Sequence, residues 1–263
     1  MAEPVVREPV VGGDAPDVGK LLNATIADVT DDIGPYLLAG LGHTLVVMPI
    51  VLVAIVVMYL GMIFGMFGGM LGVGIFAGII GSMLGETAGG VSMLLAQLLF
   101  FLAFFLGIVA FGAGLGALLA PFNASLTRAI AAYQRGEGEL TFGSAFETLS
   151  QDVAKVMGGA VLLGAIAMVL VMFCYVPVLL VPLVLGFYSP MIYLHGEGPI
   201  SALKTSVVHF QSHMGYHLTI GALGMAMGIF ASYVPVLGPV FLAAFHVRAY
   251  REMFGDGEEL VLT

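Results

Sequence analysis

Four long stretches of this chain carry no charged residue, and they narrow the choice of fold more than anything else in it. They run from Ile33 to Gly85, Thr87 to Thr127, Val156 to Gly196 and Thr205 to Val247. Each is longer than the roughly 20 residues a helix needs to cross a ~30 Å hydrocarbon core. Charged residues fill only 10% of the 263 positions and hydrophobic residues fill 60%, with a mean hydropathy of +1.07. A soluble domain carries about a quarter charged residues, and no water-soluble fold hides this much apolar surface. The expected fold is therefore all-α: a polytopic membrane helix bundle of about six spans, with interfacial amphipathic helices and internal repeats.

Local patterning divides the chain. Residues 1–16, rich in Pro, Gly and acid, read as a disordered tail, residues 17–254 as a single membrane domain, and residues 255–263 as an acidic tail. From Asp17 to Gly34 apolar residues recur at steps of three and four, which predicts an amphipathic helix in the membrane interface. Spans are expected near 36–63, 91–120, 158–175, 178–194, 216–233 and 236–250. Pro121 is expected to close the second, and a second amphipathic helix is expected from about Phe142. Met66 to Gly85 is apolar but dense in glycine, and is read as a re-entrant or interfacial loop.

Two segments repeat. SAFETLSQDVAKVMG (Ser144 to Gly158) aligns without a gap to SALKTSVVHFQSHMG (Ser201 to Gly215), and Tyr175-Val-Pro-Val-Leu179 recurs as Tyr233-Val-Pro-Val-Leu237. The repeat units span about 141–194 and 199–250, each with a hairpin turn expected at its Tyr-Val-Pro: Tyr175 and Pro177 in one, Tyr233 and Pro235 in the other. Asp17 to Gly34 aligns more weakly, as a third copy of the amphipathic segment.

Six spans put both termini on one side. All eight Lys and Arg residues then share that side, with every one of the seventeen acidic residues except Glu86. The positive-inside rule makes it the cytoplasm, and the expected location is the bacterial inner membrane. A seventh full span at residues 66–85 would move Arg128, Arg135 and Lys155 outside. Arg7, Lys20 and seven acidic residues within the first 35 positions argue against a signal peptide. Cys174 is the one cysteine, so neither an intramolecular disulfide nor a Cys-rich metal site can form.

The segment LVPLVLGFYSPMIYLHGEGPISALKTSVVHFQSHMGYHL, followed by a YVPVLGP turn and a last helix ending FHVRAYREMFG, resembles a family of uncharacterised bacterial multi-pass inner-membrane proteins. That family is related to the membrane-anchor domain of some glycerophosphodiester phosphodiesterases. The likeness runs over roughly residues 17–254 and is strongest from Arg128 onward. The glycine-rich stretch Met66 to Gly85 departs from it. The resemblance implies a multi-helix membrane fold and no particular activity.

Motifs with chemical potential are few. His209, His213 and His217 stand at i, i+4, i+8, but the outer pair would lie about 12 Å apart on a helix, so one ion cannot hold all three. They read as polar interfacial residues, and no metal or cofactor is expected. His43 is expected to bond a backbone carbonyl. The spans hold no Asp, Glu or Lys, the residues that mark proton relays and ion-coupled transport, and no catalytic constellation is visible. Glycines at Gly61, Gly65, Gly69, Gly72 and Gly78 allow close helix approach in lipid and are the candidate packing or assembly positions. The charged side is acidic overall and lacks a basic cluster, which argues against nucleic acid. The expected partners are membrane lipids, with self-association or other membrane proteins.

These features point to a protein that is not an enzyme and that organises or shapes the bilayer or serves as a subunit of a membrane assembly. The alternative is a permease or channel-like protein for a small apolar or lipid-like molecule, since transporters often carry internal repeats.

Overall fold

A computed structural model describes residues 17–173 and 175–255. The expected disordered tail (1–16), Cys174 and nearly all of the acidic tail (256–263) lie outside the described residues. The described residues are helical throughout, joined by turns: α1 (Val18–Thr30), α2 (Ile33–Leu84), α3 (Glu86–Gln134), α4 (Ser144–Glu147), α5 (Val153–Phe173), α6 (Tyr175–Val184), α7 (Tyr188–His195), α8 (Pro199–Ser212), α9 (Met214–Tyr233) and α10 (Leu237–Phe254).

Two helices dominate. α2 has 52 residues and α3 has 49, which at 1.5 Å per residue makes them about 78 and 74 Å long. Gly85 alone separates them, at φ 94° and ψ 165°, a conformation that favours glycine. They pair antiparallel over their whole length. At the tip, a Cβ on Gly89 would stand 2.8 Å from the Gly81 Cα. Farther down, Gly69 lies under the Phe100 ring and Gly65 faces Phe104. At the open end His43 Nε2 is 3.1 Å from Asn123 Oδ1, and Tyr36 meets Tyr133 edge-on at 5.6 Å.

The remaining helices build a base around this open end. Asp17 caps α1, its carboxylate accepting from the Gly19 and Lys20 amides. Leu21, Thr25 and Val29, one face of α1, are buried, and α1 packs on α10. α5 runs antiparallel to α3, because Gly164 abuts Ala113 while Asp152, just before α5, reaches Arg128. The chain then reverses, and Tyr188 at the start of α7 donates back to the Gly159 carbonyl on α5. α10 and Val236 just before it touch the hairpin near its open end twice, at Gly40 through Val236 and Val240, and at Ala131 and Gln134 through Arg251. Those heights differ by roughly 10 Å along the hairpin against about 22 Å of intervening helix, so α10 crosses the open end obliquely. The core lies here, around Tyr36, Leu126, Ile130, Phe187, Met191 and Phe245.

Several expectations are corrected. Residues 66–85 form no loop; all but Gly85 continue α2 without a break. Each glycine costs helix stability, about 1 kcal/mol against alanine, but an apolar segment that leaves its backbone groups unpaired in lipid loses several kcal/mol per group. Pro121 does not close a span but sits buried inside α3, where Ala117, Ala120 and Ala124 are buried as well. The amphipathic helix expected from Phe142 is only the single turn α4, and the following turns end at Asp152 with φ 54°. Three described helices are long and apolar enough to cross a membrane, namely α2, α3 and Val153–Leu170 of α5. The apolar stretch of α9, Met214–Phe230, is shorter, and α6 and α7 have 10 and 8 residues. The three long helices coincide with the spans expected near 36–63, 91–120 and 158–175.

Candidate functional site

Two regions could carry function, and they lie at opposite ends of the hairpin. The first is polar. Where α3, α4, α7 and the turns after α3 and α4 meet, a cleft of about 480 Å³ is lined by Arg128, Arg135, Glu137, Glu147, Asp152 and His195 among others. Its cations are already engaged. Arg128 donates from Nε to the Tyr193 carbonyl at 2.6 Å, and from one terminal nitrogen to the carbonyls of Gln151 (3.1 Å) and Thr148 (3.4 Å). Its other terminal nitrogen is 3.7 Å from Asp152. Asp152 also pairs with Lys155 at 3.0 Å, and Lys155 donates to the Gly196 carbonyl. One guanidinium thus ties α3 to α7 and to the α4–α5 turns. Arg135 pairs with Glu137 at 2.6 Å, and this hydrogen bond holds the Glu137 carboxyl below the usual carboxylate range. Ser144 Oγ accepts from the Thr141 amide and donates to the Thr141 carbonyl, and the Thr148 hydroxyl meets that of Ser125. The first pair closes a local turn and the second joins the end of α4 to α3, and none of these hydroxyls faces a base as a nucleophile would.

A second set of polar contacts clamps α1. Asp28 pairs with Arg248 at 2.5 Å, Tyr133 donates to Asp32 just past the end of α1, and Arg251 beside them joins α10 to the Ala131 carbonyl on α3. Burial raises the Glu252 carboxyl, with Arg248 opposing. Patterning along α1 shows its apolar face but not this joint, because the partner of Asp28 lies 220 residues away.

The histidines differ from expectation. His209 and His217 are buried against other helices, 2% and 0% exposed. His209 stands edge-on to Phe254 and His217 edge-on to Phe187. The helix breaks at His213, between α8 and α9, so the three do not form one helical ladder. His209 and His213 have ring centroids 6.3 Å apart. His43 pairs with the side-chain amide oxygen of Asn123, not with a backbone carbonyl.

The second region is the far half of the hairpin, and it is apolar. Phe64, Phe67, Leu71, Met83, Leu94 and Leu98 are each at least two-thirds exposed. The five candidate packing glycines divide here. Gly65 and Gly69 face Phe104 and Phe100 of α3, while Gly61, Gly72 and Gly78 have nothing within 4 Å of where a Cβ would stand. At the proposed hairpin turns, Pro235 follows α9 and precedes α10, with Tyr233 the last residue of α9 and 81% exposed. Tyr175 opens α6 and Pro177 lies in its first turn; their side chains lie outside the described set. The returning arms differ, since α6 stops at Val184 and resumes as α7, whereas α10 is continuous.

Comparison with protein-family models, with curated proteins and with solved structures finds no match.

Proposed function

We propose that this protein is a non-enzymatic, multi-pass membrane protein that organises or shapes the bilayer as a subunit of a membrane assembly. The observation that carries this is the long antiparallel hairpin, uncharged along both arms from the base to Glu86 and exposing large apolar side chains on its outer faces. Membrane lipid is the medium such a surface fits. The base is a different material. Arg128, Lys155, Arg248 and Arg251 there are tied to carbonyls or to carboxylates, which suits a rigid mount at the headgroup level more than a catalytic centre. The one sizeable polar cleft described belongs to this mount and not to the middle of the hairpin, which gives little support to the permease alternative.

By the positive-inside rule the base and both termini face the cytoplasm, and the membrane we assign is the bacterial inner membrane. The test has two parts. In a background with Cys174 replaced by serine, single cysteines at Arg135 and Glu197 are expected to be shielded from an impermeant thiol reagent in intact cells, with a cysteine at Glu86 labelled. Labelling at 135 from outside reverses the orientation. Purified protein added to preformed liposomes is then expected to alter their size distribution or curvature, or to co-purify from membranes with stable partners. A protein that inserts, leaves vesicle shape untouched and has no stable neighbour, itself included, is not what we propose.

A further inference from the structure

The hairpin is too long for one bilayer. Its polar mount fixes one end, because Asp28, Asp32, Arg128, Lys155 and Arg251 cluster around the open end through the contacts described above. From Arg128 to Glu86, α3 runs 41 residues without a charge, about 62 Å. A hydrocarbon core of ~30 Å crossed at a 40° tilt, the steep end of the usual range, takes up about 39 Å, or roughly 26 residues. On the order of 15 residues of α3, and more of α2, are left beyond it. The same stretch projects past the rest of the chain. Gly164 of α5 packs at Ala113, so α5, ending at Phe173, stops near the level of residue 104. Beyond that level Phe67, Leu71, Ile75, Met83, Leu94 and Leu98 stand exposed, and among the described residues each arm of the hairpin packs there on the other arm.

We infer that the far half of the hairpin, about residues 61–84 and 86–104, is covered by the same region of a second copy of this chain. This rests on the membrane reading above and adds the partner and its surface. Each exposed large apolar side chain offers on the order of 100 Å², so the stretch exceeds the ~800 Å² per partner of a stable interface. The surface between Gly61 and Gly85 is uncharged, so an identical face brings no like-charge repulsion. Gly61, Gly68 and Gly72, lying toward one side of α2, have open space in front of them, and Gly81 and Gly89 show that backbones in this hairpin already approach closely. With the two copies parallel, both Glu86 tips stay in water.

The experiment uses the full chain in native membranes, with Cys174 replaced by serine and a single cysteine at Gly72, at Leu98 or, as a control on the base, at Lys204. Oxidative cross-linking is expected to give dimers at 72 and 98 with severalfold the yield at 204. Gly61→Leu with Gly72→Leu fills space that no contact within one chain occupies, so it is expected to lower the yield at 98 while the monomer stays folded. Yields at 72 and 98 no higher than at 204, together with equal labelling of residues 53 and 98 by a photoprobe confined to lipid tails, overturn self-association and leave the membrane reading standing. Release of the protein by alkaline carbonate overturns both.

Discussion

Arg128 shows how one side chain can hold a joint between elements. Its side chain is 11% exposed, and its guanidinium serves three carbonyls and one carboxylate. Removing it leaves those acceptors without their donor in a largely buried setting, where each orphaned group costs about 1–3 kcal/mol. Arg128→Ala is expected to destabilise the protein by roughly 2–4 kcal/mol, read as a lowered thermal midpoint in detergent. Arg135→Ala is the contrast. Its partner Glu137 is 51% exposed, and surface pairs contribute about 0–1 kcal/mol, so the midpoint is expected to move little. Equal losses for the two variants would refute the assignment of Arg128 as the joint. Nothing in the spacing of residues near 128 distinguishes these two arginines; only the carbonyls brought by α7 and the α4–α5 turns do.

Among elements, the hairpin is where glycine divides into two roles. A Cβ on Gly69 overlaps the Phe100 ring, and one on Gly89 meets backbone at 2.8 Å, whereas Gly72 is open. Gly89→Val is therefore expected to force the tip apart, read as a longer distance between spin labels at Ser82 and Ser92 and a broader spread. An unchanged distance would mean the helices do not approach as described. Gly69→Leu is expected to lower thermal stability by about 1–3 kcal/mol through overpacking, and Gly72→Leu to leave it unchanged in the monomer. A loss at Gly72 equal to that at Gly69 would place Gly72 inside a packed contact. The sequence shows the glycines and the absence of charge, but not which glycine faces which neighbour. A glycine-rich apolar run satisfies the pattern of a loop as well as that of a helix, and what decides is that a helix pairs its backbone groups internally in lipid.

For the whole molecule, the separation of polar base from apolar hairpin makes a prediction about handling. The protein is expected to stay with the membrane through alkaline carbonate and to leave only with detergent, since the apolar area involved is worth many tens of kcal/mol at about 25 cal/mol per Å². Extraction by carbonate alone would contradict it. Charge-free tracts, composition and the amphipathic face of α1 determine by themselves that the chain is helical, that its long tracts suit a membrane and where its charges lie along it. These are one-dimensional properties, set by the cost of placing charge or unpaired backbone in lipid. Tertiary structure decided the rest. Pro121 is buried inside a helix and does not end it, and residues 65, 69 and 81 of α2 meet residues 104, 100 and 89 of α3. His209 and His217 are buried because Phe254 and Phe187 reach them from other helices. Asp28 finds Arg248 across the whole chain. Each of these depends on which segments meet, a matter of long-range packing energy that no local run of residues encodes.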